Sequence, residues 1–206
     1  MPKLKATVSV LMLRSAAKVK NTSTLASDNA DGLGSFYNHK NRDSAYGFGL
    51  NYKYAFNFNN FFVAPGISYE FLNNDVKSGF TDTSSNYFSQ NIKLKNSVSF
   101  RTNIGYDINE QFAVYVPVGI SQFNYSIKTN DVGGSDVTNN RKSGNKSAAF
   151  IGFGFSYESV KNWVMNLEYN KYQNFKITSG TATNNGGQIS ARTNVDVMKL
   201  GLSYRF

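Results

Sequence analysis

Cysteine is absent from this chain of 206 residues, and histidine and tryptophan each occur only once. Without cysteine, the chain can form neither a disulfide framework nor a thiolate zinc site. The lone histidine, His39, excludes a metal centre built on several histidines. No Gly-x-Gly-x-x-Gly or Gly-Lys-Ser/Thr motif is present to cradle a phosphate. We therefore expect no metal and no other cofactor.

Long hydrophobic runs are missing as well. A membrane-spanning helix needs about 18 or more consecutive apolar residues, but the most apolar stretch, ATVSVLML (6–13), ends at Arg14. The first residues, MPKLKATVSV, do not show the charged start, apolar middle and small-residue cleavage site of a signal peptide in that order. If the protein is exported, we expect this chain to be a mature form with an added start.

What the chain does contain is alternation. Apolar residues alternate with small or polar residues through most segments, which is the period of a β-strand. We predict eight strands, at 4–16, 44–56, 61–71, 97–108, 112–120, 148–158, 163–169 and 198–206. Long polar segments at 17–44, 73–91, 128–147 and 178–191 alternate with tight turns at 57–60, 107–111 and 159–162. This order predicts a single all-β domain over 1–206, an antiparallel up-and-down meander with four long loops at one end and three short turns at the other.

Two architectures fit such a meander. A soluble barrel or sandwich buries its apolar face, whereas a membrane barrel turns that face to lipid and fills its lumen with polar groups. The apolar face here carries Phe, Tyr, Leu, Val and Ile, and the opposite face carries Gly, Ser, Ala and Asn. An eight-stranded barrel has an interior just wide enough for side chains to fill, so this many aromatics would not fit inside. The sequence therefore favours a transmembrane β-barrel.

The charges on the small-residue face support this interpretation. Buried charges are tolerated when they are paired, and this face holds four of each sign. We predict a lumenal ion-pair network formed by Lys53, Glu70, Arg101, Asp107, Glu158, Glu168, Lys199 and Arg205.

Aromatic residues also cluster where the two membrane–water interfaces would lie. Those near the short turns are Phe58, Phe61, Phe112, Trp163, Tyr204 and Phe206, and those nearer the long loops are Tyr46, Phe71, Tyr125 and Tyr169. Pro65 and Pro117 fall inside predicted strands, where a closed barrel has no free edge for a missing N–H. We expect a bulge near the rim at each proline.

The final strand carries a family resemblance. GLSYRF (201–206) resembles the C-terminal assembly signal of outer-membrane β-barrels, with Leu202, Tyr204 and Phe206 matching the outward positions. Related stretches recur as GFGLNY (47–52) and GFGFSY (152–157). The whole chain resembles the eight-stranded OmpA-like or OmpX/Ail-like surface barrels, and its Asn- and Lys-rich style resembles the rickettsial Adr adhesins. The resemblance implies a place in the bacterial outer membrane, with loops at the cell surface, and host ligands such as vitronectin.

Three functions are open to such a barrel. A small porin or purely structural protein is one, although eight strands leave no water-filled channel. A lipid-modifying enzyme is another, since His39, Asp82 and Ser84 lie in predicted loops. An ordinary loop histidine is the simpler interpretation of His39, so we expect no enzymatic activity. A surface adhesin or immune-evasion protein is the third.

We favour the adhesin, because surface loops usually carry binding. Basic clusters beside aromatics can engage acidic partners, such as lipopolysaccharide phosphates or host extracellular-matrix and serum proteins. The predicted partner-binding residues are Lys18, Lys20, Phe36, Tyr37, Lys40, Arg42, Lys128, Arg141, Lys142 and Lys146. Nucleic acid is not expected, because no basic stripe lies on a regular element. We expect a monomer embedded in membrane lipid.

Overall fold

The chain folds into a closed antiparallel sheet. The computed structural model describes residues 4–11, 16–26, 36–73, 75–81, 87–133, 136–181 and 188–205. Its segments are β1 (Leu4–Leu11), β2 (Ala16–Ala26), β3 (Phe36–Phe58), β4 (Phe61–Asn73), β5 (Val76–Thr81), β6 (Tyr87–Asp107), β7 (Phe112–Gly133), β8 (Asp136–Val160), β9 (Trp163–Tyr172), β10 (Phe175–Thr181) and β11 (Gln188–Arg205). These described ranges contain no helix long and apolar enough to cross a membrane.

The segments combine into eight antiparallel strands. β1 and β2 both pair with β3 and β11, β4 and β5 both pair with β6, and β9 and β10 both pair with β11. The two segments in each of these three cases therefore belong to one strand of the barrel. β11 pairs with β9 on one side and with β1 and β2 on the other, so the sheet closes. The predicted eight-stranded up-and-down barrel is confirmed.

Three tight connections lie at one end, as predicted. Asn59 and Asn162 have positive φ values of 55° and 71° in the turns at 59–60 and 161–162. Asparagine tolerates this left-handed backbone better than most residues. In the turn at 108–111, Asn109 Oδ1 accepts hydrogen bonds from the backbone N–H groups of Gln111 (2.9 Å) and Phe112 (2.8 Å). Local side-chain chemistry thus fixes this end of the barrel.

The opposite end departs from the prediction. The segments predicted as long loops are largely strand: β2 and β3 occupy 16–26 and 36–58, and β7 and β8 run to 133 and from 136. What remains of the predicted loops, residues 27–35, 82–86, 134–135 and 182–187, lies outside the described part of the chain. The loop boundaries were wrong because the sequence at 17–44 and 128–147 is mostly polar, so it lacks the apolar alternation used to find strands.

The two prolines interrupt the sheet without a bulge, contrary to expectation. Pro65 pairs with Thr102 of β6, but the β3–β4 pairing skips from Lys53–Gly66 to Phe56–Val63. Pro117 pairs with Asn103 of β6, and the β7–β8 pairing skips from Tyr115–Gly154 to Val118–Ile151. The register is the same on both sides of each gap. The sheet tolerates the missing N–H by losing two pairs on one side only.

The predicted inversion of faces holds in the half of the barrel near the short turns. Its outer surface is a band of large exposed side chains, including Phe48, Leu50, Ile67, Phe100, Ile104, Ile120, Ile151, Phe153, Leu167, Leu200 and Leu202. Its inner surface is small or polar, including Asn51, Ser68, Ser97, Ser99, Asn103, Ser121, Asn170 and Ser203. Because the apolar residues face outward, the natural surroundings of this half are lipid.

The other half contains an apolar cluster that the sequence analysis did not predict. Inside the barrel, away from the short turns, lie Leu72, Ile92, Leu94, Phe123, Tyr125, Ile127, Ala148, Phe150, Tyr172, Phe175, Ile177, Ala191, Val195 and Val197, all buried. We call this set the apolar plug. Tyr125 belongs to it with 6% exposure, so its predicted place in an outward aromatic girdle is wrong. Tyr46, Phe71 and Tyr169 are exposed as expected.

Candidate functional site

The centre of the lumen contains charged side chains, which we call the ionic belt: the half-buried Lys53 and the buried Glu70, Arg101, Glu168 and Lys199. Arg101 Nη2 lies 2.5 Å from Glu168 Oε2, and both side chains are almost fully buried. Lys199 Nζ forms an ion pair with Glu70 Oε1. The four paired side chains lie on β4, β6, β9 and β11, so the ion pairs cross the lumen between strands that are distant in sequence.

Neighbouring amides complete the belt. Arg101 also donates to Asn103 Oδ1 from Nη2 at 2.9 Å, and Asn170 Nδ2 donates to Glu168 Oε1 at 2.6 Å. Hydrogen bonds to the remaining lone pairs and protons are what make a buried ion pair tolerable. A charged cluster without such bonds would be costly in this site.

Two further predicted lumenal residues form a separate pair near the short turns. Arg205 Nη1 lies 2.9 Å from Glu158 Oε2, and Glu158 Oε1 accepts from the backbone N–H of Asn162 at 3.0 Å. Asp107 lies at the same end and its backbone N–H donates to the Asn60 carbonyl at 2.7 Å. The eight predicted lumenal charges are thus distributed over two levels of the barrel.

Glycines make room for the large lumenal side chains. Gly66 is paired with both Lys53 and Arg101, Gly49 with Glu70, and Gly154 with both Tyr115 and Glu168. A Cβ at Gly66 would lie 2.7 Å from Lys53 Cγ, and one at Gly154 would overlap the Tyr115 ring. Glycine weakens an ordinary strand and marks sites of close approach. Here each glycine accepts a long side chain from the adjacent strand.

Between the belt and the short turns lies a cavity that we call the vestibule. It has a volume of about 740 Å³ and opens at the end where the turns lie. Small side chains, Ala55, Ala64 and Ala113, leave the space. The larger groups that line it include Lys53, Asn57, Phe62, Asn103, Tyr115 and Asn166. Lys53, Tyr115 and Asn166 also line a cavity of about 10 Å³ beside the belt, so they stand at the inner end.

The predicted partner-binding residues lie at the other end, on strands instead of loops. Lys128 is on β7, and Arg141, Lys142 and Lys146 are on β8, all with exposed side chains. Lys18 and Lys20 lie on β2, and the remaining four, Phe36, Tyr37, Lys40 and Arg42, lie on β3. The side chains of these last six are outside the described part of the structure, as is that of His39.

The ribbon that carries the described basic residues has one free side. We define the basic ribbon as residues 123–149, where β7 and β8 pair from Phe123–Lys146 to Gly133–Asp136. β9 pairs with β8 only from Phe150 onward, and β10 pairs with β11. Within the described residues, no strand therefore pairs with the second edge of β8 before Phe150, where the Ala149 carbonyl accepts a hydrogen bond from the backbone N–H of Gln173 at 2.7 Å. Sequence alternation could not show this edge, because it depends on which strands continue beyond the membrane.

Two predicted sites are described only in part. Leu202 is exposed and Tyr204 partly exposed on the outer face, where an assembly signal would lie, while Phe206 is outside the described residues. Asp82 and Ser84 are also outside the described residues. Among the residues that are described, no group of three His, Asp or Glu side chains is placed to hold a metal ion.

Comparison with known proteins agrees with this architecture. The sequence model of the outer membrane protein beta-barrel domain family matches residues 6–206. The chain therefore belongs to the family of outer-membrane β-barrel proteins, and its place is the bacterial outer membrane. No curated protein sequence matches the chain.

Solved structures resemble the barrel at low sequence identity. The outer membrane protease OmpT from Escherichia coli is 13% identical, with a TM-score of 0.51 over 98% of this chain and 96% of OmpT. The attachment invasion locus protein Ail of Yersinia pestis is 18% identical, with a TM-score of 0.39 over 93% and 97% of the two chains. OprG from Pseudomonas aeruginosa is 10% identical, with a TM-score of 0.47 over 96% and 97%. At 13% identity the likeness to OmpT shows the fold alone, and the protease activity in its name is a statement about OmpT.

Proposed function

We propose that this barrel is a surface adhesin that binds an acidic host extracellular-matrix or serum protein, such as vitronectin, through the basic ribbon. The observation that carries the proposal is the edge of β8 before Phe150, with which no described strand pairs, beside the exposed side chains of Arg141, Lys142 and Lys146. The rickettsial Adr resemblance and the identity of the ligand stay predictions.

An unpaired strand edge presents a row of N–H and C=O groups that another chain can pair with. Proteins use such edges to capture extended segments, with main-chain hydrogen bonds giving affinity. Natural edges are usually blunted by lysine and other charges, and the charges here also select for partners of opposite sign. Electrostatic complementarity raises the association rate and rejects basic partners.

The alternative function as a small porin has less support. A porin needs a continuous aqueous lumen, and eight strands do not leave one. The apolar plug fills the lumen above the ionic belt with packed rings, including the stacked pair of Phe123 and Phe175 at 5.6 Å. We expect no large steady conductance steps from the purified barrel in planar bilayers.

The adhesin proposal is tested by capture of purified vitronectin on barrel reconstituted in nanodiscs. We expect the triple variant Arg141→Ala, Lys142→Ala, Lys146→Ala to bind about tenfold or more weakly, because three charges leave the contact. The matched control is Lys171→Ala, Lys176→Ala, Arg192→Ala, which removes the same charge from exposed positions on β9–β11. This control should bind within about twofold of the unaltered barrel.

Ionic strength supplies a second measurement. Screening at 0.5 M salt should weaken binding to the unaltered barrel far more than binding to the triple variant, since exposed charges are screened over a few ångströms at that concentration. Equal loss in the triple variant and its control would show that net charge, and not the basic ribbon, governs capture. Salt-independent binding would overturn the electrostatic mechanism.

A further inference from the structure

The inner end of the vestibule contains a cation, Lys53, that has no ion-pair partner among the described residues. The ionic belt has three cations, Lys53, Arg101 and Lys199, and two anions, Glu70 and Glu168. Arg101 and Lys199 each contact one of those carboxylates. Among the described residues, no carboxylate lies within 4.0 Å of Lys53 Nζ, which lies 5.7 Å from the centroid of the Tyr115 ring. The belt therefore carries one positive charge in excess.

That excess charge faces the open cavity. Lys53 lines both the vestibule and the small cavity beside the belt, and it is only partly exposed. A charge withdrawn from water is costly unless a counter-charge or hydrogen bonds compensate it. Three described acids line the vestibule nearer the turns, Asp107, Glu110 and Glu158, of which Glu158 is paired with Arg205. An anion that enters from the turn end passes these acids and meets Lys53 at the inner end of the vestibule.

The walls next to Lys53 offer one donor and one acceptor. Asn103 uses its Oδ1 to accept from Arg101, which directs the carbonyl to the belt and leaves the NH₂ group as its other polar end. Asn166 uses its Nδ2 to donate to Ser203 Oγ at 2.6 Å, so its Oδ1 is the other polar end. A peptide group needs both a donor and an acceptor, and these two amides supply them.

We propose that the vestibule binds a short acylated peptide with a free carboxylate, which enters from the periplasmic end. The carboxylate lies against the Lys53 ammonium, the peptide groups contact Asn103 and Asn166, and small side chains pack beside Phe62. A volume of about 740 Å³ is within the roughly 300–1,000 Å³ range of small-molecule sites. The apolar plug separates this site from the cell surface, so the ligand approaches and leaves on the periplasmic side only.

The test uses two probes that differ in one group, acetyl-Ala-Ala with a free carboxylate and the same dipeptide as its C-terminal amide. Binding to the full barrel in nanodiscs is followed by NMR titration of the asparagine side-chain amides. We expect saturable shifts at Asn103 and Asn166 with the acid, and about tenfold or weaker affinity for the amide, which cannot pair with Lys53.

Single substitutions test whether Lys53 is the residue that binds the carboxylate. Lys53→Met should weaken binding of the acid about tenfold or more, and Lys53→Arg should keep most of it. Lys161→Met is the matched control, because Lys161 is an exposed cation on the turn at 161–162 outside the cavity lining. It should bind as the unaltered barrel does. Equal affinity for the two probes, or an unchanged affinity in Lys53→Met, would overturn the proposal. If Lys53→Met does not fold, the comparison of the two probes on the unaltered protein decides the question.

Discussion

The two halves of the barrel wall have opposite patterns. Along β7 nearer the short turns, Val116 and Ile120 face outward and Ser121 faces the lumen. Farther along the same strand, Phe123 and Ile127 are buried inside, while Lys128 is exposed. One strand thus places its apolar residues outside and then inside.

The difference shows how the surrounding medium decides which face is apolar. Contact with lipid tails favours hydrophobic side chains on the outer face, so the lumen at that level can be polar. Where water surrounds the wall, the apolar residues must turn inward, as in a soluble barrel. The outer surface of this second half is basic, with exposed Lys93, Lys95, Lys128, Arg141, Lys171, Lys176 and Arg192. The protein is therefore a membrane barrel that continues into a soluble one.

The largest expected loss of stability comes from breaking an ion pair in the polar half of the barrel. Arg101→Met leaves Glu168 buried without its main partner, and breaking a buried ion pair in this way costs about 3–5 kcal/mol. The free energy of unfolding can be measured in vesicles by urea titration, with the single Trp163 as the fluorescent reporter. The double variant Arg101→Met, Glu168→Met should lose less than the single one. A double variant as unstable as the sum of both single variants would show that the two groups do not interact.

The next effect tests the boundary between the halves. Phe100 is 69% exposed in the apolar band, so Phe100→Lys should cost about 2–4 kcal/mol, as charges on the lipid face do. Gln122→Lys adds the same side chain to an exposed position above the band and should stay within about 0.5 kcal/mol. Similar losses at the two positions in the vesicle assay would place Gln122 in lipid and contradict the boundary.

A smaller effect concerns the fit inside the polar half. A Cβ at Gly154 would overlap the Tyr115 ring, so Gly154→Ala should cost about 1–3 kcal/mol through overpacking. Gly144→Ala is the comparison, because there the Cβ would lie 2.9 Å from the Tyr125 hydroxyl oxygen and 3.1 Å from Cζ, a milder approach than the overlap at Gly154. We expect Gly144→Ala to lower the free energy of unfolding by less than Gly154→Ala does. Equal losses would attribute the effect to backbone conformation and not to the ring.

The smallest effect compares one chemical change in the two halves. Ile127 is 1% exposed in the apolar plug, and Ile127→Val should cost about 0.5–1.5 kcal/mol, because deletion of a buried methylene leaves a void. Ile120 is 58% exposed in the apolar band, where lipid fills the space. Ile120→Val should therefore cost less when both are measured in the same vesicles. A larger loss at Ile120 would mean that the plug is loosely packed.

The sequence was sufficient for the membrane half and insufficient for the other. Strict alternation and side-chain size predicted the strands, the short turns and the outward apolar face, because lipid imposes a regular pattern. The charges of the ionic belt were found because they interrupt a face of small residues. Their partners could not be predicted, since Arg101 and Glu168 are 67 positions apart and meet only through closure of the barrel.

The apolar plug does leave a signal in the sequence, which the search for regular alternation did not detect. On β7 the apolar residues occupy even positions through Ile120 and odd positions from Phe123, and on β11 they change from Val195 and Val197 to Met198 and Leu200. A change of phase inside one run marks the level at which the medium changes. The edge of β8 with which no described strand pairs left no such signal, because it depends on where the neighbouring strands end.

The pairing of glycines with long side chains across neighbouring strands has an evolutionary consequence. Tyr115 and Gly154 occupy one shared volume. A larger residue at one position requires a smaller residue at the other. Substitutions in the barrel interior must therefore occur as paired changes of side-chain volume on adjacent strands. The lipid-facing residues can change one at a time.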